Sequence, residues 1–152
     1  MKKLIRSLLL ALILFSLTEP TPGLTETPVF FIVNKANPVT SISRRDLVDY
    51  YQKKRREWPD GVPVRFIDRN SGSPERQGFL RGVLHQSESD VDLFWYGEKF
   101  RAGTSVPIQV ANDDLVVEMV KSFRGAIGYV SSLSKIKGED VKEIKLTGDT
   151  GG

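Results

Sequence analysis

Apolar residues fall in short blocks set apart by polar turns, and the spacing inside each block predicts its structure. Val29-Phe30-Phe31-Ile32-Val33 is a continuous apolar run closed by Asn34, the pattern of a strand covered on both faces. Asn37-Pro38 interrupts it. Ser43 offers a cap with an acid, Asp46, three places on, and Leu47, Val48, Tyr50 and Tyr51 follow at helical spacing, predicting a helix over 43–52. Pro59-Asp60-Gly61 marks a turn. The alternation from Pro63 to Asp68 predicts a strand over 63–68. Ser73-Pro74 then supplies a cap and a proline at the first helical position for a helix over 74–86. Ser89-Asp90-Val91-Asp92 caps another helix, whose apolar stripe is Val91, Phe94, Trp95 and Phe100. Asn112-Asp113-Asp114 begins one more, with Leu115, Val116, Met119, Val120 and Phe123 on its buried side. Gly125-Ala126-Ile127-Gly128-Tyr129-Val130 returns as a strand, and 142–147 reads as the last. Short strands alternating with helices define an α/β class, a largely parallel or mixed sheet flanked by helices, over 29–147. Residues 148–152 read as a frayed tail.

The first residues carry a different signal. Lys2, Lys3 and Arg6 precede an apolar run from Leu8 to Leu17, shorter than the roughly 18–20 residues that span a bilayer. Residues 1–23 are expected to be an export signal and 24–28 a linker, leaving a periplasmic protein that is soluble after cleavage. The chain has 22 basic and 19 acidic residues, but Lys2, Lys3, Arg6 and Glu19 would leave with the signal. The remaining domain is near neutral, so charge gives no argument for nucleic acid. Cysteine is absent, which excludes disulfides, a thiolate nucleophile and thiolate metal sites.

Candidate chemistry concentrates at Asp68-Arg69-Asn70-Ser71-Gly72-Ser73-Pro74-Glu75-Arg76. A strand end, a tight turn of small residues and a capped helix start, with two arginines close by, form an anion seat without a metal. The seat residues are Arg69, Ser71, Gly72, Ser73 and Arg76. Catalysis is not expected. His85 is the one imidazole, near a predicted helix end, and no serine or carboxylate pattern marks it as a base. One histidine leaves only carboxylates for a metal, and helix capping accounts for Asp113-Asp114 and for Asp90 and Asp92; no metal and no cofactor are expected. Gly125-x-x-Gly128 lacks the context of a nucleotide fingerprint and fits a strand with a close backbone approach. Lys53-Lys54-Arg55-Arg56 fits a solvated loop.

From Asn34 to Val130 these pieces resemble the substrate-binding proteins of phosphate ABC transporters. The matching order is a strand ending in asparagine, the Leu47 helix running into Tyr50-Tyr51-Gln52-Lys53, Trp58 with Asp60-Gly61, Arg69-Asn70-Ser71-Gly72-Ser73, Phe79, Trp95, and Gly125-Ala126-Ile127-Gly128-Tyr129-Val130. The resemblance implies a single periplasmic-binding-protein-like lobe. It also implies that Ser71, Gly72 and Ser73 stand where the family has its Ser-Gly-Thr turn, with Arg69 as the preceding arginine. The family's aspartate has no counterpart, Asn70 standing nearest. Arg76 comes from the helix geometry instead.

The expected function is an exported, non-catalytic domain that binds phosphate or a similar inorganic oxyanion in transport or sensing, alongside a transporter permease or a membrane sensor. The alternative is a ligand-free interaction module, docking on a membrane partner through a surface around Tyr50, Tyr51, Lys53 to Arg56 and Trp58. Arginines converging on the turn at 71–74 favour binding; arginines drawn away into salt bridges favour the module.

Overall fold

The computed structural model describes residues 26–102 and 105–148. The predicted signal, the first part of the linker and the last four residues of the tail lie outside them. In chain order the elements are β1 (Phe30–Asn34), β2 (Ser41–Ser43), α1 (Arg44–Tyr51), β3 (Arg65–Arg69), α2 (Pro74–Phe79) running into a π-helical turn (Leu80–Leu84), and α3 (Glu88–Ala102). There follow β4 (Ile108–Val110), α4 (Asp113–Ser122), β5 (Ala126–Val130), a 3-10 turn (Leu133–Ile136), β6 (Val141–Glu143) and β7 (Lys145–Thr147).

A five-stranded sheet in the order β4-β3-β5-β1-β6 forms the middle layer. β3 lies parallel to β4 and β5, while β1 runs antiparallel to β5 and β6, so the sheet is mixed. Helices cover both faces, which is why the strands read as unbroken apolar runs. Alternate residues serve opposite sides: Phe31, Phe66, Ile127 and Tyr129 join the core beneath α1, α2 and α3, and Ile32, Ile67, Ala126 and Val130 join the core beneath α4. Phe79 sits among Tyr129, Tyr51, Phe66 and Phe31, with ring centroids 4.8 to 5.8 Å away.

Caps fix the helix starts as the sequence predicts. Ser43, Ser73 and Asn112 accept the amide protons of Asp46, Arg76 and Leu115 through their side chains. α3 starts earlier than expected, at Glu88, where Ser87 Oγ accepts the Asp90 N–H at 3.2 Å. The helix from Pro74 ends at Leu84 rather than residue 86, because His85 turns left-handed at φ 54° and its last five residues are π-helical. The predicted strand over 63–68 is shifted to Arg65–Arg69, since Pro63 has no N–H to place in a ladder and instead bridges Glu57.

The segment 142–147 splits into two strands at Ile144. β6 pairs with β1 and β7 with β2, so one short segment joins two sheets. Two placements within helices also differ from the periodicity. Leu115 is 46% exposed and Phe100 72% exposed, while Val117 is buried. Leu115 lies in the first turn of α4 and Phe100 in the last turn of α3.

Candidate functional site

Asp68 and Arg69 close β3, whose parallel neighbours β4 and β5 end at the same side of the sheet. Crevices outside the carboxyl ends of such strands are where open α/β sheets take ligands. The chain then turns tightly: Ser73 N–H donates to Asn70 O at 3.2 Å, and Gly72 takes φ 77°, which an L side chain rarely adopts. The turn delivers Ser73 to its capping position, and Arg76 follows one helical turn inward.

Arg76 points back toward the turn and is 1% exposed. Its Nη1 donates to Ser71 Oγ at 2.9 Å and to Glu88 Oε1 at 2.8 Å, and its Nη2 donates to Asp92 Oδ1 at 2.9 Å. Nε lies 3.4 Å from Asp68 Oδ2. Burial disfavours its charge, but Asp68, Asp92 and Tyr51 outweigh that and hold its pKa above the ordinary arginine range.

Asp68 is the pivot behind it. Oδ1 accepts the Arg69 N–H at 2.8 Å and the Tyr129 hydroxyl, and Oδ2 accepts the Tyr51 hydroxyl at 3.0 Å. Burial lifts this carboxyl above the usual range, opposed by the Tyr129 hydroxyl, the Arg76 charge, the Arg69 amide and the Tyr51 hydroxyl. Burial also pushes both phenols well up, with the Asp68 charge adding to it.

Glu88 closes the front. Its Oε1 accepts from the Gly72 N–H at 3.0 Å as well as from Arg76, and its Oε2 accepts from Gln77 Nε2 at 2.6 Å. Beside this cluster lies an open cavity of about 510 Å³, lined by Asp68, Ser71, Arg76 and Asp92 on its polar side and by Trp95 and Tyr96 on its aromatic side. Lys99 adds a second cation to the wall. The arrangement offers fixed donors, a buried guanidinium and a hydroxyl. These donors suit an oxyanion, and three carboxylates, Asp68, Glu88 and Asp92, already pair with the guanidinium.

Of the predicted seat residues, Ser71, Gly72, Ser73 and Arg76 come together. Arg69 is turned to the other side, bonded to Asp113 and to Ala111 O at 3.1 Å, with Glu75 Oε2 3.3 Å away. Asp113 also accepts from Ser131 N and Oγ at 2.9 and 2.7 Å, so it ties β3, α4 and the end of β5 together, whereas Asn112 is the cap.

Asp68 and Glu88 are site residues that the sequence did not mark as such, and Asp92, expected to cap a helix, instead accepts from Arg76 while Ser87 takes the capping role. Asp68 stood in the motif itself as a strand end, and a carboxylate between two apolar-run residues and two arginines was the signal available. Glu88 and Asp92 share one helical face at i and i+4, but nothing local says which cation they meet.

The aromatic surface envisaged for a docking module is absent: Tyr50, Tyr51 and Trp58 are 6%, 1% and 2% exposed. Trp58 donates through Nε1 to Gly125 O at 3.0 Å, inside the core. Gly125 makes the close approach expected of it, since a Cβ there would lie 2.0 Å from Pro63 O. His85 sits exposed at the helix end against Arg44. Among the described residues no cluster of three or more His, Asp or Glu could hold a metal ion, and no helix is long and apolar enough to cross a membrane.

The fold is that of a periplasmic-binding-protein lobe, a mixed sheet flanked by helices. No family model matches the chain, and no curated protein does. Solved structures do. A protein from Clostridium perfringens, assigned as a phosphate ABC transporter substrate-binding protein and solved with bound phosphate, superposes with a TM-score of 0.60 at 19% identity, over 78% of this chain and 44% of its own. An ABC-type phosphate transport receptor from Vibrio cholerae gives 0.55 at 18% identity, over 78% of this chain and 45% of its own. PstS from Borrelia burgdorferi gives 0.58 at 17% identity, over 78% and 47%. The chain thus spans less than half the length of each.

Proposed function

We propose that this chain is an exported, non-catalytic, solute-binding-protein-like domain that takes phosphate or a similar inorganic oxyanion at the Ser71-Gly72-Ser73 turn, with Arg76 as its charged partner. The observation that carries this reading is the Arg76 guanidinium, 1% exposed and 2.9 Å from Ser71 Oγ on the wall of the cavity. Its guanidinium pairs with Asp68, Glu88 and Asp92, so an incoming anion would take the place of one of these carboxylates on a cation that borders open space. Arg69 contributes from behind, by pinning β3 to α4 so that the turn keeps its shape. The phosphate named for the Clostridium perfringens neighbour makes phosphate the first ligand to test. Its role lies in transport or sensing in the periplasm, beside a permease or a membrane sensor.

A second reading has its own observation. Leu93, Tyr96 and Phe100 are 72%, 65% and 72% exposed on one side of α3, and Tyr96 and Phe100 pack together with centroids 4.8 Å apart. An apolar face of that kind suits a protein partner, so the interaction module would act through α3 rather than through the basic run.

Calorimetric titration with phosphate, then sulfate, at low and high salt separates the two. One-site binding of phosphate that weakens at least about tenfold in Ser71→Ala, and in Ser73→Ala, supports the oxyanion reading. Ser73→Ala should also cost about 1 kcal/mol of stability through its lost cap. No heat from either anion in the folded protein sinks that reading and leaves the α3 surface as the functional one.

A further inference from the structure

The donors of the proposed seat already hold an oxyanion, and it is the chain's own. We infer that Glu88 is an internal occupant of the oxyanion seat, and that it sets which ligands enter, because an external anion binds only by displacing the Glu88 carboxylate. This rests on the oxyanion reading above.

Both oxygens of Glu88 are engaged. Oε1 receives the Gly72 N–H at 3.0 Å and Arg76 Nη1 at 2.8 Å, while Oε2 receives Gln77 Nε2 at 2.6 Å. Those three donors come from the turn and the helix after it, and together they reach both oxygens of one carboxylate. Ser71 Oγ lies on the same Arg76 nitrogen at 2.9 Å. Asp68 and Asp92 hold the remaining edges of the guanidinium, so Glu88 is the partner whose departure frees the Gly72 and Gln77 donors and one Arg76 nitrogen without leaving Arg76 uncompensated.

Glu88 is built to leave. It is the first residue of α3, its side chain is 24% exposed, and the Ser87 cap holds the helix start while the side chain can swing into water. The Asp68 side chain is 1% exposed and receives both tyrosine hydroxyls, which fixes it in place. The cavity next to the seat supplies room for an incoming group. Trp95, 6% exposed, lines that cavity and turns its buried indole N–H toward Tyr51.

A seat closed in nine molecules of ten raises the apparent Kd about tenfold over its intrinsic value. The test is titration of the whole protein and of its Glu88→Ala and Glu88→Gln variants with inorganic phosphate and with sulfate. Glu88→Gln keeps the side-chain shape and guards against a folding defect in the alanine variant. The expected result is phosphate binding tightened about tenfold in Glu88→Ala and in the same direction in Glu88→Gln, with faster hydrogen exchange at the Gly72 amide of the free variants. Equal affinity in all three proteins, or weaker binding in the variants, overturns the internal occupant and leaves the oxyanion reading intact. Silence from all three toward both anions overturns the oxyanion reading, and the internal occupant with it.

Discussion

Arg76 Nε lies 3.4 Å from Asp68 Oδ2, and each of the two side chains is 1% exposed. The pair joins the last turn of β3 to α2 across the Asn70–Ser73 bend, so the bend is clamped by charge at its base as well as by the Ser73 cap. Placing two charges this deep has a desolvation cost, which is met here by further donors on Asp68 and further carboxylates on Arg76.

Breaking that pair from the acid side should be expensive. Asp68→Asn removes the full negative charge facing Arg76 and turns an acceptor of several donors into an amide that must donate toward some of them. A loss of about 3 kcal/mol is expected in urea unfolding. The Asp68→Asn, Arg76→Met double variant should lose less than the two single losses combined, because the direct contact between the two side chains can be lost only once. A single-variant loss within experimental error, or strict additivity, would show that the pair is not coupled.

Alkaline pH gives a separate handle on the same cluster. Tyr51 and Tyr129 have their phenol pKa values raised in the folded protein by burial and by the Asp68 charge, above the ordinary value of about 10. From pH 10 upward the unfolded chain therefore releases these protons while the native state keeps them, so the unfolded state binds fewer protons and stability falls as pH rises. Below pH 10 the two phenols add no pH dependence. Each contributes a slope of about 1.4 kcal/mol per pH unit once its unfolded form is ionised. Urea unfolding between pH 9 and 11.5 reads this slope, and Tyr129→Phe should reduce it by about one phenol's share. A stability that stays flat through pH 11 would refute the assignment.

Two glycines should respond to alanine with opposite signs. At Gly125 a Cβ would stand 2.0 Å from Pro63 O and 3.1 Å from Pro63 C, both backbone atoms, while Gly125 O holds Arg65 N–H at 2.9 Å and Trp58 Nε1 at 3.0 Å. Gly125→Ala must push the 57–65 loop off the sheet and is expected to cost about 2–3 kcal/mol. At Gly97, inside α3, the nearest atom to a new Cβ is the Arg101 guanidinium at 3.8 Å, so Gly97→Ala should stabilise by about 0.5–1 kcal/mol through helix propensity. Thermal melts of the two variants measure both, and equal shifts in one direction would contradict the packing.

The elements legible in the sequence are those whose cause is local. Ser43, Ser73 and Asn112 cap because a side-chain oxygen reaches an amide three residues on, and Pro74 sits at the first helical position because its missing N–H is not needed there. The buried runs at 30–33 and 126–130 are strands because the covered faces on both sides of the sheet call for apolar residues throughout. Phe100 and Leu115 were misplaced because helical spacing ranks the faces of a helix without saying what packs against its end turns. The 142–147 segment divides because β2 and β1 offer it two different partners, a fact that no stretch of six residues contains.

The sequence by itself determined the α/β order, the caps, and the Ser71-Gly72-Ser73 turn with two arginines near it, since each depends on residues within a few positions of one another. Only the tertiary structure decided what those arginines do. Arg69 and Arg76 are seven residues apart in the chain, yet the first meets Asp113, 44 residues on, and the second meets Asp68, Glu88 and Asp92. A charged side chain goes to whichever counter-charge folding brings within hydrogen-bond distance, and that is set by how α3 and α4 pack on opposite sides of β3.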